Sequence, residues 1–188
     1  MKKIPTLFER IYIDHKTVET TKKITKGMEW VLQGEGIATV KIDGACCAII
    51  NQKFYRRYDC KKGKQPPHGF IPCCDPDKIT GHWPGWIECN RSNPDDKWFW
   101  NAYDNYTTEL YSDGTYEATG LHFQSNPYNL LDDILIKHGE KQIFVVRTFE
   151  GIKKCLSENY IEGLVFWKDG EPQCKIKRSD FGFEWNNK

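Results

Sequence analysis

Long apolar runs and an excess of charge of one sign are both missing from this sequence. No run reaches about 18 apolar residues, and the charged N-terminus lacks the apolar stretch of a signal peptide. We therefore expect a soluble, cytoplasmic protein with no membrane partner. The chain has 188 residues, of which 39% are hydrophobic, and this is enough for one proper core. A single domain over residues 1–188 is the expectation.

Paired metal-ligand motifs are also missing, although cysteine is frequent. The eight cysteines include the neighbours Cys46–Cys47 and Cys73–Cys74, and no Cys-x-x-Cys occurs. Adjacent cysteines seldom bridge each other, so reduced thiols fit better than a disulfide framework. Cysteines and histidines do gather in residues 60–89, but their irregular gaps differ from the closely spaced ligand pairs of structural zinc sites. Buried thiols and surface histidines are favoured there over zinc, which stays the alternative.

The formal net charge of +1 argues against wholesale electrostatic binding to DNA or membranes. Basic residues are nevertheless concentrated locally, either as a phosphate-tracking patch or as an ordinary solvated hairpin edge. The aromatic residues that follow, between 82 and 103, either stack nucleic-acid bases or form core, and core is favoured. The basic residues are Lys53, Arg56, Arg57, Lys61, Lys62 and Lys64.

Residues 37–44, Ile-Ala-Thr-Val-Lys-Ile-Asp-Gly, carry a lysine from an apolar run into a turn. A lysine at a strand end, in partly apolar surroundings, is a candidate nucleophile because desolvation and nearby cations disfavour its ammonium form. Lys41 is therefore the first candidate catalytic residue. The alternative is a lysine that ends an edge strand and extends to solvent.

Local patterns predict several strands and one helix. We expect residues 37–42 and 45–58 to form an antiparallel meander, and a further short strand at 143–146. The apolar spacing predicts a helix over about 148–159, with Thr148 or Ser157 as a local cap.

Two acids and two lysines occupy later predicted strands. Glu117 lies in the strand predicted within 113–120, and Glu162 stands at the mouth of the strand predicted within 160–167. In Gln173–Arg178, period-two spacing puts Lys175 and Lys177 on one face of a strand. These cations form either an oxyanion or phosphate clamp or the polar outer face of a hairpin.

Four short motifs follow one another along the chain: Lys41-Ile-Asp-Gly44, Tyr116-Glu117, Glu162-Gly163 and Lys175-Ile-Lys177. In this order, they resemble the motifs of the covalent nucleotidyltransferases, the superfamily of polynucleotide ligases and RNA capping enzymes. The similarity is closest to the small stand-alone ATP-dependent RNA ligases (5′-3′ RNA ligase family). Only 11 residues follow Lys177, so the appended oligonucleotide-binding (OB-fold) domain of DNA ligases and capping enzymes is not expected.

The resemblance implies an α+β, ATP-grasp-like adenylation domain of antiparallel sheets flanked by helices. It implies that ATP and Mg²⁺, or Mn²⁺, are used to join RNA 5′-phosphate and 3′-hydroxyl ends through a lysyl-AMP intermediate. The site residues it implies are Lys41 as nucleophile, Lys175 and Lys177 at the α-phosphate, Arg57 at phosphate, Glu117 at the ribose and Glu162 at the metal. No residue is assigned to adenine stacking, because Asp133–Ile136 offers aliphatic side chains and no aromatic ring.

Two alternatives of different class stay open. One is another enzyme, either a minimal nick-sealing DNA ligase or a nucleotidylyltransferase that modifies a protein or a tRNA end. The other is a non-catalytic RNA-binding module with a vestigial site.

Overall fold

The computed structural model describes residues 3–14, 16–105 and 112–185. Within these residues the chain forms eleven β-strands and three α-helices. In chain order they are β1 Phe8–Ile13, β2 Lys16–Ile24, α1 Glu29–Leu32, β3 Ile37–Lys41, β4 Ala45–Ile50, β5 Lys53–Cys60, β6 Ile71–Pro72, β7 Trp83–Glu88, α2 Lys97–Asp104, β8 Gly114–Thr119, β9 Ile134–Lys137, α3 Phe149–Glu158, β10 Gly163–Lys168 and β11 Glu171–Lys177. Short 3₁₀ turns cover Pro94–Asp96 and Arg178–Phe181.

The chain divides into two compact units. The first, called the three-strand unit, comprises Ile4–Ile42 and Gly139–Lys188 and contains a sheet of order β11-β10-β3 and the hairpin β1-β2. The second, called the six-strand unit, comprises Asp43–His138 with Lys3 and contains a sheet of order β6-β7-β5-β4-β8-β9. All strand pairs in these sheets are antiparallel.

The core of the three-strand unit follows from alternation along its strands. Successive side chains of a strand point to opposite faces, so alternate residues share one environment. One face of β3, β10 and β11 is apolar and packs with Ile152 and Leu156 of α3, which are fully buried. The residues of that face are Ala38, Val40, Leu164, Phe166, Cys174 and Ile176. The opposite face carries the lysines at the ends of β3 and β11.

The six-strand unit packs the aromatic residues of α2 against one face of its sheet. Phe54 on β5 makes ring contacts with Phe99, Trp100 and Tyr103 at centroid distances of 6.5, 5.3 and 4.9 Å. These rings bury apolar area, which accounts for the aromatic density of this stretch. The interpretation of α2 as core is consistent with this packing.

The sequence predicted the fold class and the elements with strong local signals. The α+β class with mostly antiparallel sheets is confirmed, and the helix predicted over 148–159 is α3. No helix of the described residues is long and apolar enough to cross a membrane. The single-domain prediction for 1–188 is not tested by the two compact units and stays a prediction.

Two strand predictions were wrong. β4 and β5 do form an antiparallel pair as expected within 45–58, but β3 does not join them, because β3 pairs with β10 while β4 pairs with β5 and β8. Residues 143–146 form no strand, although the Ile143 N–H donates to the Ala38 carbonyl at 3.0 Å. Val145 is buried while Phe144 is 91% exposed. The side chains therefore alternate between buried and exposed as in a strand, but residues 143–146 lack a ladder of backbone hydrogen bonds.

The N-terminus of α3 gives a stability prediction. Thr148 precedes α3, and its hydroxyl accepts a hydrogen bond from the Gly151 N–H at 3.0 Å, whereas the Ser157 hydroxyl donates to the Lys154 carbonyl. Thr148→Ala should therefore lower the free energy of unfolding by about 1 kcal/mol. Ser157→Ala, the matched control, should change it by less than about 0.5 kcal/mol. Urea denaturation of both variants measures the difference, and equal effects would contradict the cap assignment.

Candidate active site

Three lysines project from one face of the sheet in the three-strand unit. In the register of this sheet, Gly163 at the start of β10 lies opposite Lys41 of β3 on one side and opposite Lys177 of β11 on the other. Lys175 is two residues before Lys177 and so lies on the same face. Because Gly163 has no side chain, the space between the two flanking lysines is not filled by β10. We call Lys41, Glu162, Lys175 and Lys177 the lysine cluster.

Glu162 binds two of these lysines at once. Its Oε2 lies 2.5 Å from Nζ of Lys41, and its Oε1 lies 2.7 Å from Nζ of Lys177. The Glu162 side chain is only 5% exposed, against 21% for Lys41 and 37% for Lys177. A buried carboxylate needs such partners, since an unpaired buried charge is strongly unfavourable. The carboxylate therefore determines where both ammonium groups lie.

Lys175 lies in surroundings that disfavour its protonated form. Burial, together with the positive charges of Lys41 and Lys177, lowers the pKa of Lys175 from 10.5 to about 8. Its backbone is held on the outer edge of β11, where its N–H donates to the Pro5 carbonyl at 3.0 Å and its carbonyl accepts from the Leu7 N–H at 2.7 Å. The sequence predicted that burial and nearby cations would lower the pKa of Lys41, and both of these causes act on Lys175.

The end of β11 is fixed by Asp180, which the sequence argument missed. Asp180 accepts the backbone N–H of Lys177 at 2.8 Å and forms an ion pair with Arg10 of β1 at 2.6 Å. Gly163 is equally constrained, because a Cβ there would lie 2.2 Å from the Ile176 carbonyl oxygen. These contacts hold Lys177 beside Glu162. In the sequence, the only local indication of this contact was an acidic residue three positions after the end of β11.

Arg57 and Glu117 belong to the six-strand unit, where their strands β5 and β8 lie on either side of β4, the strand that carries Cys46. Glu117 of β8 is directly opposite Cys46 of β4, and Arg57 of β5 follows Arg56, which is paired with Cys47. Continuing that register places Arg57 opposite Cys46, so the three residues form one row across β8, β4 and β5. Burial, then the charge of Glu117, raises the pKa of the Cys46 thiol to about 12, while Arg57 acts in the opposite direction.

Glu117 is engaged by a histidine that sequence reasoning did not assign. His138 directly follows β9, and its Nε2 lies 2.8 Å from Oε2 of Glu117 while its Nδ1 lies 2.9 Å from the Thr115 hydroxyl. Thr115 and Glu117 share a face because they are two residues apart on β8. That spacing was readable in the sequence, whereas the approach of His138 depends on the pairing of β8 with β9.

The basic segment is partly neutralised within the six-strand unit. Arg56 binds the buried Asp96 at 2.6 Å and Lys53 binds Glu88 at 3.0 Å. Lys61, Lys62 and Lys64 are exposed. The charge that remains for a phosphate-tracking surface is therefore smaller than the sequence suggests.

The described residues of the Cys/His-rich segment bring no three metal-ligand side chains together. Among the described residues, the only group of three or more Cys, His, Asp or Glu side chains close enough to share a metal is Cys46, Glu117 and His138. None of these lies within residues 60–89, whose Cys60 thiol instead donates to the Lys64 carbonyl at 3.3 Å.

Comparison with known proteins adds no relative. No model of a protein family matches this chain, and no curated protein matches it.

The lowered pKa of Lys175 predicts a pH-dependent stability. Below pH 8, Lys175 is charged in both the folded and the unfolded protein, and its charged form is less favourable in the folded protein. Between about 8 and 10.5 the unfolded chain keeps the proton that the folded chain has lost, so native stability recovers as pH rises. Lys175→Met should therefore raise the free energy of unfolding by about 2 kcal/mol at pH 7, with the gain shrinking toward pH 10.5.

Denaturant unfolding at pH 7, 8.5 and 10 measures this gain relative to the unsubstituted protein. Lys153→Met, at an exposed position of α3, is the matched control and should show no such trend. A Lys175→Met variant that is less stable at pH 7 would contradict the unfavourable charge.

Proposed function

We propose that this protein is an ATP-dependent RNA ligase of the covalent nucleotidyltransferase type, with a nucleotidyltransferase, ATP-grasp-like fold. The observation that carries the proposal is the lysine cluster: Glu162 joins Lys41 and Lys177 through separate oxygens, and Lys175 lies on the same face. The motifs that suggested this family lie far apart in the sequence, at residues 41, 162 and 175–177. Their convergence is what a shared phosphoryl-transfer site requires.

The positive charge of the lysine cluster suits a nucleoside triphosphate. Three lysines face one carboxylate, so the cluster is positive whenever the lysines are protonated. Phosphoryl transfer spreads negative charge over the phosphate oxygens, and fixed cations stabilise that charge without reorganisation. Lys175 and Lys177 are the residues assigned to the α-phosphate.

Lys41 is the assigned nucleophile. A bond forms between its Nζ and the α-phosphorus of ATP, and the bond from that phosphorus to the pyrophosphate oxygen breaks. The ammonium proton of Lys41 must leave first, and Oε2 of Glu162, 2.5 Å away, is placed to accept it. The AMP then passes to an RNA 5′-phosphate, and an RNA 3′-hydroxyl displaces AMP to form the phosphodiester.

Glu162 is also the residue that would hold Mg²⁺ or Mn²⁺. A carboxylate oxygen is the ligand that Mg²⁺ prefers, and one carboxylate with several waters is an ordinary protein contribution. A bound divalent ion supplies Lewis-acid polarisation of the phosphate oxygens. Since both oxygens of Glu162 pair with lysines, Glu162 must release one of these partners to bind the ion.

Arg57 and Glu117 keep the roles that the resemblance implies, at phosphate and ribose. Ile136 of β9 lies opposite Glu117 in the sheet, so the aliphatic segment considered for adenine adjoins the residue assigned to the ribose. No aromatic residue is assigned to the adenine.

Loss of the amine nucleophile should abolish the covalent intermediate. Incubation with ATP and Mg²⁺ should add one AMP to the protein, observed by intact mass spectrometry. Lys41→Arg should remove this adduct, because arginine stays protonated and cannot attack phosphorus. Lys168→Arg, an exchange on β10 of the same unit, is the matched control and should keep it.

The outcomes separate the alternatives. An adduct that persists in Lys41→Arg contradicts the assignment, and an unlabelled wild-type protein favours a non-catalytic RNA-binding module. Transfer of AMP to 5′-phosphorylated RNA but not DNA supports the RNA ligase. Transfer to nicked DNA, or to a protein or tRNA end, favours one of the other enzymes.

Glu162→Gln tests the metal role. Removing the carboxylate charge should raise the Mg²⁺ concentration needed for half-maximal adduct formation by at least about tenfold, as expected when a direct metal ligand is weakened. Glu158→Gln, on the exposed surface of α3, should leave the Mg²⁺ titration unchanged. Identical titrations for Glu162→Gln and the wild-type protein would exclude Glu162 as the metal ligand.

A further inference from the structure

Three side chains of types that commonly ligate metals meet on one face of the sheet in the six-strand unit. They are Cys46, Glu117 and His138, and one ligand atom of each lies within 4.8 Å of the others. These three residues belong to the six-strand unit, whereas the residues of the lysine cluster all belong to the three-strand unit. The ion proposed below also differs from the Mg²⁺ assigned to Glu162.

The backbone holds these three positions firmly. Cys46 and Glu117 lie directly opposite each other on β4 and β8, and the N–H of His138 donates to the Thr115 carbonyl at 3.0 Å. Gly44 permits close approach nearby, because a Cβ there would lie 2.2 Å from the Ala118 carbonyl oxygen and 2.9 Å from Cγ of Glu117. Ligands on paired strands can bind an ion with little loss of conformational entropy.

The imidazole of His138 is oriented as in a metal ligand. Its Nδ1 lies 2.9 Å from the Thr115 hydroxyl, which can accept a hydrogen bond from a protonated Nδ1. In that tautomer Nε2 carries no proton and is the ligand atom. Metal-bound histidines generally donate their other ring N–H to such an oxygen partner. Nε2 is also the atom that faces Glu117, at 2.8 Å, so an ion can replace this hydrogen bond and contact both groups. The His138 and Glu117 side chains are only 15% and 12% exposed.

We propose that Cys46, Glu117 and His138 bind one divalent transition-metal ion of the Zn²⁺ type. Sulfur, imidazole nitrogen and carboxylate oxygen together form a donor set that suits Zn²⁺ or Co²⁺, whereas Mg²⁺ and Ca²⁺ select oxygen ligands. Binding forms a metal–sulfur bond and releases the thiol proton to solvent, with no change of oxidation state. Three protein ligands leave a fourth tetrahedral position for water or another small ligand.

The site has a consequence for Glu117. When the ion is bound, this carboxylate is a metal ligand and is not free to accept a ribose hydroxyl. Zn²⁺ binding and the proposed ribose contact are therefore mutually exclusive at this residue. The metal site can be tested without ATP, so its failure leaves the adenylation of Lys41 untouched, and a failed adenylation leaves the metal site untouched.

The experiment titrates Co²⁺ into the full-length, chelator-treated protein in the absence of nucleotide. We expect a saturable sulfur-to-Co²⁺ charge-transfer band in the near ultraviolet at one ion per chain, and its loss on addition of one equivalent of Zn²⁺. Cys46→Ser should abolish the band. Glu117→Gln and His138→Ala should each weaken Co²⁺ binding by at least about tenfold, as expected for a lost ligand.

Two substitutions outside the group serve as controls. Cys155→Ser removes a thiol from the three-strand unit, and His68→Ala removes an exposed imidazole, and neither should change the titration. Absence of a sulfur band in the wild-type protein, or a band that persists in Cys46→Ser, would overturn the proposal. If Cys46→Ser does not fold by circular dichroism, the wild-type band and its weakening in Glu117→Gln decide the question.

Discussion

The shared carboxylate of Glu162 is the interaction on which the candidate site depends. A single acid, almost completely buried, binds one lysine through each oxygen and so fixes ammonium groups from β3 and β11 on either side of Gly163. Without it, three lysines would face one another across a short distance with no counter-charge. Burial, and after it the charges of Lys41 and Lys177, lower the pKa of Lys175 even with Glu162 present.

In the proposed function, one group of residues would serve both folding and chemistry. Before a nucleotide binds, the carboxylate offsets the charge of the lysines. In the proposed reaction, the phosphates of ATP would take over that role and free one oxygen of Glu162 to bind a divalent ion. A group of three lysines that already binds one carboxylate is well suited to an anionic substrate.

The local parts of this description could be predicted from the sequence, but the long-range pairings could not. Period-two spacing correctly placed Lys175 and Lys177 on one face, and the apolar stripe predicted α3. The Asp43-Gly44 turn after Lys41 suggested that β3 pairs with β4, because short turns usually join adjacent strands. β3 instead pairs with β10, more than 120 residues away, and no local signal encodes such a partner. His138 was missed for the same reason, since its approach to Glu117 depends on the β8–β9 register.

The central claim is that the amine of Lys41 forms a bond to the α-phosphorus of ATP. The most direct measurement is proteolysis of the protein after incubation with ATP and Mg²⁺, followed by tandem mass spectrometry of the AMP-bearing peptide. The account predicts a single acid-labile phosphoramidate on the peptide that contains Lys41. AMP attached to Lys175, Lys177 or a residue outside the lysine cluster would contradict it.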